Sequence, residues 1–192
     1  MGGGYLSNAV SYLINVIFGL YIGAVMVRFL LQLVRADFYY NPLAKALVTI
    51  TNPALRPLRR LIPGFQGIDW AAVVLMLFVQ MAETTIIVLM IGHVPVFQGL
   101  LVVAIAELLS IAIYIYQFAI LIQVVLSWIA PDQYNPITEV VDALAEPLLR
   151  PARQMIPPLG GLDFSPFAAL ILLQLTSMLV VAPLRDFGYR LL

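Results

Sequence analysis

Apolar residues in this chain gather into long uninterrupted blocks, with neither the alternation of a strand nor the narrow stripe of a surface helix. Four blocks, at about 10–33, 70–91, 98–126 and 166–184, each suffice for a helix crossing a bilayer, which takes about 20 residues. The third is longer than a span requires and is expected to tilt or to extend into the interface. Most of the prolines and charges lie between the blocks, over 37–69 and 131–163. Blocks of this length are too many for the buried core of a 192-residue globule. The pattern therefore predicts an all-α membrane protein with four transmembrane helices. The first block follows Met1-Gly2-Gly3-Gly4, which lacks the basic start of a signal peptide, so it is expected to stay as an anchor.

Composition agrees and narrows the chemistry. Hydrophobic residues make up 62% of the chain and charged residues 10%; about 25% charged is usual in soluble domains. Ten basic and ten acidic residues cancel, which leaves no global attraction for nucleic acid. With no cysteine and one histidine, His93, the chain offers neither a thiolate nor a multi-histidine metal site. Gly64, Gly67, Gly160 and Gly161 stand beside prolines as turn punctuation and do not form a phosphate loop. No catalytic group, metal or cofactor is expected, and His93 reads as a plain loop residue.

Lys and Arg in the connections set the expected orientation. Arg28, Arg35, Lys45, Arg56, Arg59 and Arg60 lie at or between the first two spans, and Arg150 and Arg153 between the last two. Only Arg185 and Arg190 lie elsewhere. Both long connections should be cytoplasmic and both termini outside. Tyr39, Tyr40, Trp70, Trp128 and Tyr134 fall near the cytoplasmic boundary, as an aromatic belt would.

The two halves are copies. Adding 94 to a position in the first half gives its counterpart without a gap. Tyr40-Asn41-Pro42 becomes Tyr134-Asn135-Pro136, and Pro53, Leu55, Arg56, Pro57, Arg59, Ile62 and Pro63 become Pro147, Leu149, Arg150, Pro151, Arg153, Ile156 and Pro157. Gly67 and Asp69 become Gly161 and Asp163, and Gln80 becomes Gln174. Repeat 1 covers residues 1–94 and repeat 2 residues 95–192, each a span, a polar motif and a second span. Two spans return the chain to its starting side, so the repeats are parallel in topology.

Within the motif, Asn41-Pro42 and Asn52-Pro53 each place a capping residue before a proline at the first helical position. That predicts two short helices, 42–51 and 53–62, the second bent at Pro57 and ended by Pro63-Gly64. Leu55, Leu58 and Ile62 share one face, and Arg56, Arg59 and Arg60 another, so the pair should lie in the interface plane. Asp69 and Ser165 are expected to cap the second and fourth spans.

The signature "DFYYNPLAKALVTITNPALRPLRRLIPGFQGIDW", repeated as "DQYNPITEVVDALAEPLLRPARQMIPPLGGLDFSP", resembles the YggT family of bacterial inner-membrane proteins, whose cyanobacterial and plastid relatives are called YlmG. The second copy departs at Ala152, in place of Leu58, and at Gln154, in place of Arg60, which weakens its basic face. The resemblance implies links to osmotic tolerance or potassium uptake, to cell division and nucleoid organisation, or to assembly of a haem-containing complex.

Two constellations carry candidate function. Arg56, Arg59, Arg60, Arg150 and Arg153 form a collar for anionic lipid or a membrane partner, or serve only to hold the loops inside and reach phosphates. Glu83 and Glu107 lie twelve residues either side of Pro95. That puts both about 18 Å from the turn at matching depth, with Gln80 one turn before Glu83 and Gln174 among the further polar groups in the spans. They form either a cation site or a pair of neutral carboxyls, each bonded to a glutamine and serving helix association. The expected function is a non-enzymatic inner-membrane accessory or scaffold protein that binds anionic lipid and a membrane-protein partner or second copy. The alternative is a small K⁺ or H⁺ transporter using Glu83 and Glu107.

Overall fold

The computed structural model describes residues 3–36, 40–129, 135–156 and 163–192. Each apolar block becomes a helix long enough to cross a membrane: α1 (Gly3–Leu33), α3 (Trp70–Met90), α4 (Phe97–Ile129) and a final rod, Ser165–Leu191. The rod comprises α6 (Ser165–Thr176), a π-helical turn (Ser177–Val181) and α7 (Ala182–Leu191). It outruns its expected end at 184, because Arg185 finds a partner within the membrane span. The widened turn comes just before Pro183, which has no N–H to give the helix ladder. No strand occurs among the described residues.

Each motif folds as one helix, α2 (Pro42–Leu61) and α5 (Pro136–Met155), in place of the expected helix pairs. Asn52 therefore lies mid-helix and caps nothing. Pro53 and Pro57, like Pro147 and Pro151, each remove one backbone bond from the helix without ending it. Packing outweighs that loss: Leu55 and its repeat mate Leu149 are both 0% exposed. The helix ends at Leu61, with Ile62 as its cap next to Pro63, as expected.

The spans form an open row. α3 packs between α1 and α4, and α4 carries α6 and α7 on its far side. Among the described residues α1 touches neither α6 nor α7. The main core joins Ile22, Val25 and Leu31 of α1 to Leu55 of α2, Met76 of α3 and Leu144 of α5. A smaller cluster sets Ile120 against Leu149 and Ala169. Much of α1 and α6 stays apolar and exposed, which in water would be prohibitive and in lipid is the norm.

Candidate functional site at the repeated motif

The repeated signature can be followed residue by residue to what it builds. Asn41 caps α2: its side-chain oxygen accepts from the N–H groups of Leu43 at 2.9 Å and Ala44 at 3.3 Å. Asn135 caps α5, accepting from Ile137 N–H at 3.0 Å, and Thr138 completes a capping box. Pro42 and Pro136 take the first helical position, where a missing N–H costs nothing. After α2 the chain turns back at Phe65–Ile68, with Gln66 (φ 54°) and Gly67 (φ 81°) both left-handed. Two central residues with positive φ define a tight hairpin turn, which explains the glycine. Its mate Gly161, with Gly160, Pro157, Tyr39 and Tyr134, lies outside the described residues.

Asp69 caps α3 and is also gripped by Arg59. Arg59 Nε donates to Asp69 Oδ2 at 3.1 Å, and a second guanidinium nitrogen contacts the same oxygen. The identical pair recurs 94 residues on, where Arg153 Nε donates to Asp163 Oδ2 at 3.0 Å and Nη1 reaches Glu146 at 2.9 Å. Each clasp ties the end of the motif helix to the start of the next span. Burial disfavours the Arg153 cation, but hydrogen bonds to Asp163 and Glu146 outweigh it and raise its pKa. Burial likewise pushes the Asp163 acid up, but hydrogen bonds from the Ser165 backbone N–H and from Arg153 hold it below the usual carboxylate range. Ser165 does not cap the last span as expected. It is the first helical residue; its N–H donates to Asp163 at 2.9 Å, and its buried hydroxyl has no partner among the described residues.

The five-arginine collar thus divides. Arg59 and Arg153 are spent on the clasps, while Arg56, Arg60 and Arg150 are exposed and make no hydrogen bond or ion pair among the described residues. Sequence spacing put all five together; the ten-residue distance to an aspartate separated them. Trp70 (42% exposed), Trp128 (78%) and Tyr40 (80%) lie at this same end of the molecule.

Arg28 was legible only as a loop charge. It is buried and donates to Asn52 Oδ1 at 3.0 Å and to the Thr51 hydroxyl, so it binds α1 to α2. In repeat 2, Gln123 of α4, one residue beyond the counterpart of Arg28, donates to Asp142 of α5 at 2.9 Å. The repeats are joined by Asn41, whose amide nitrogen donates to the Pro136 carbonyl at 2.8 Å and to Glu139 at 3.0 Å.

Inside the spans, Gln80 Nε2 donates to Glu83 Oε2 at 2.9 Å, a glutamine–carboxyl contact of the kind expected. Glu107 differs: Arg185 Nε lies 2.8 Å from its Oε1, and Nη2 donates to its Oε2 at 3.3 Å and to Ser110 Oγ at 2.6 Å. Glu107 is therefore held by an arginine from the last span and not by a glutamine. Gln174 accepts instead from Gln117 at 3.2 Å. Among the described residues no three His, Cys, Asp or Glu side chains converge on a metal-sized point.

A membrane protein of four helical spans, arranged as two parallel repeats with a capped, clasped motif helix in each, is the class these features define. The CCB3/YggT family model matches residues 7–90 and again 102–184, one match per repeat, and the chain belongs to that family. It is 45% identical over 178 residues to a Pseudomonas aeruginosa protein called Uncharacterized protein PA0392, covering 92% of this chain and 90% of the relative. It is 35% identical over 175 residues to a Vibrio alginolyticus protein, Uncharacterized protein in proC 3′region, covering 90% and 94%. The Escherichia coli K12 protein called Uncharacterized protein YggT is 32% identical over 187 residues, 96% of each chain. No solved structure matches.

Proposed function

We propose that this protein is a non-enzymatic accessory of the bacterial inner membrane, with both termini outside and α2 and α5 on the cytoplasmic surface. There it holds anionic phospholipid headgroups and presents a membrane-embedded partner, or a second copy of itself, with a fixed cationic face. One observation carries the reading: Arg56, Arg60 and Arg150 stand exposed with no counter-ion among the described residues, while the neighbouring Arg59 and Arg153 are neutralised by clasps. A cation kept free beside one that is paired is available to a phosphate, and each contributes about 1 kcal/mol near an anionic surface. The inward engagement of Arg185 removes one of the two basic residues that counted against this orientation. Transport through a matched pair of carboxylates is the weaker reading, because Arg185 already neutralises Glu107.

Two measurements test the proposal. Lys45→Cys and Val94→Cys, at exposed positions on opposite ends, are offered to an impermeant maleimide in intact spheroplasts. Val94→Cys should label and Lys45→Cys should not; the reverse overturns the orientation. Phosphatidylglycerol should also raise the melting temperature of the purified protein more than phosphatidylcholine does. Equal stabilisation by both lipids would remove the headgroup role.

A further inference from the structure

The open row of helices leaves a gap between α1 and α7, floored by α3 and α4, with a volume of about 630 Å³. Its lining runs from Gln80 of α3 to Ile91, which caps that helix, eleven residues on and so about 16 Å along the axis. His93 stands at the end near the α3–α4 link. Asn15 faces the gap from α1, Thr84 from α3, Glu107 from α4 and Tyr189 from α7. Four apolar spans thus enclose a polar cleft, and ionisable groups kept at such depth are costly unless they are compensated.

Charge in the cleft is unbalanced. Glu107 has Arg185, whereas Glu83, 7% exposed, has only the Gln80 amide among the described residues. That amide donates to Oε2 and leaves Oε1 without a hydrogen-bond partner among the described residues. Gln80 gives its N–H to Glu83 and keeps its side-chain carbonyl, and Thr84 donates to the Gln80 backbone at 3.0 Å and keeps hydroxyl lone pairs. Asn15 adds an amide without an internal partner among the described residues. The unused groups include the side-chain oxygens of Gln80, Thr84 and Asn15 as acceptors beside one negative charge, with donors at the Asn15 amide nitrogen, His93 and Tyr189 along the same cleft.

We propose that this cleft binds a single monovalent cation, with Glu83 as its one charged ligand and the side-chain oxygens of Gln80, Thr84 and Asn15 completing the shell. A divalent ion would demand more carboxylate than the cleft supplies, since Arg185 holds Glu107. An alkali-metal ion and a small organic ammonium share the required chemistry, one positive charge seeking oxygens. The site is independent of the cationic collar, which lies at the opposite end of the spans.

Equilibrium binding of ⁸⁶Rb⁺ and of ¹⁴C-methylammonium to the full chain in phosphatidylcholine nanodiscs tests it. Saturable binding of at least one of them at one ion per chain is expected, weakened about tenfold or more in Glu83→Gln. Rubidium alone would place an alkali metal there, methylammonium alone an organic ammonium. The wild type gives a second readout, free of any folding defect in the variant. Dicyclohexylcarbodiimide should label Glu83, read by peptide mass spectrometry, and the bound cation should slow that labelling. The proposal is overturned if neither cation binds saturably nor slows labelling, if folded Glu83→Gln binds as well as wild type, or if Ca²⁺ binds more tightly than both.

Discussion

Replacing Asp69 with Asn removes the carboxylate that Arg59 grips yet leaves a side chain that caps α3 as well as Asp does. A double-mutant cycle on Arg59→Gln and Asp69→Asn therefore isolates the clasp from the cap. Asp69 is 5% exposed and Arg59 35%, and one carboxylate oxygen receives two guanidinium contacts. Hydrogen bonds to a buried charge contribute about 1.5–3 kcal/mol. Solvent around the partly exposed guanidinium lowers this to about 1–2 kcal/mol. The second copy provides the control. Arg153 and Asp163 have the same chemistry and spacing but are 40% and 41% exposed, so their coupling should be about 0.2–1 kcal/mol, the range of surface pairs. Unfolding in dodecyl maltoside–dodecyl sulfate mixed micelles, followed by far-ultraviolet circular dichroism, gives all four corners of each cycle. Burial, and not charge or spacing, is thus held to set the strength of the clasp. A coupling in repeat 2 that equals or exceeds that in repeat 1 refutes this reasoning.

Acid should weaken the second clasp. Hydrogen bonds hold the folded Asp163 acid below its unfolded value of about 3.9, so its contribution is complete above about pH 4 and lost as pH falls further. Unfolding measured from pH 6 down to pH 3 should therefore fall more steeply in wild type than in Asp163→Asn; parallel curves would contradict the assignment. Asn41→Asp should keep the α2 cap but lose both bonds to repeat 2 and place a carboxylate against Glu139, lowering stability by about 1–2 kcal/mol in the same micelle assay. Full stability in that variant would show that the inter-repeat contact contributes nothing. Glu107→Gln leaves the Arg185 guanidinium, which cannot lose its proton, without a counter-ion in the span, at about 1.5–3 kcal/mol given their partial exposure. Glu107→Gln/Arg185→Gln should recover most of that loss, and a double variant less stable than the single one contradicts the pairing.

What the sequence made legible was whatever depends on local pattern or on the repeat. Apolar block length located the four spans, because lipid requires about 20 apolar residues from any crossing helix. The 94-residue register located the capping asparagines and matched Arg59 and Asp69 to Arg153 and Asp163. The fused motif helix was not legible, because Asn52-Pro53 has the form of a helix start, and the burial of Leu55 that overrides it is a tertiary fact. Arg185 was read as a charge beyond the membrane because the hydropathy of its segment falls there. Its partner lies 78 residues away on α4, and nothing local points to it. A ten-residue interval between arginine and aspartate, preserved in both copies, was the available signal for the clasps. It passed unused because basic residues near a membrane are first read as topology.

The central claim is that Arg56, Arg60 and Arg150 hold anionic headgroups, and the chain carries its own reporters. Its two tryptophans, Trp70 and Trp128, are both exposed at the motif end. Quenching of their fluorescence by brominated phosphatidylglycerol and by brominated phosphatidylcholine, in otherwise identical vesicles, measures which lipid gathers there. Phosphatidylglycerol should be enriched in wild type, by up to about 1 kcal/mol for each free arginine. The enrichment should disappear in Arg56→Gln/Arg60→Gln/Arg150→Gln and in high salt. Equal quenching by the two lipids in wild type, or an enrichment that survives the triple substitution, would contradict the claim.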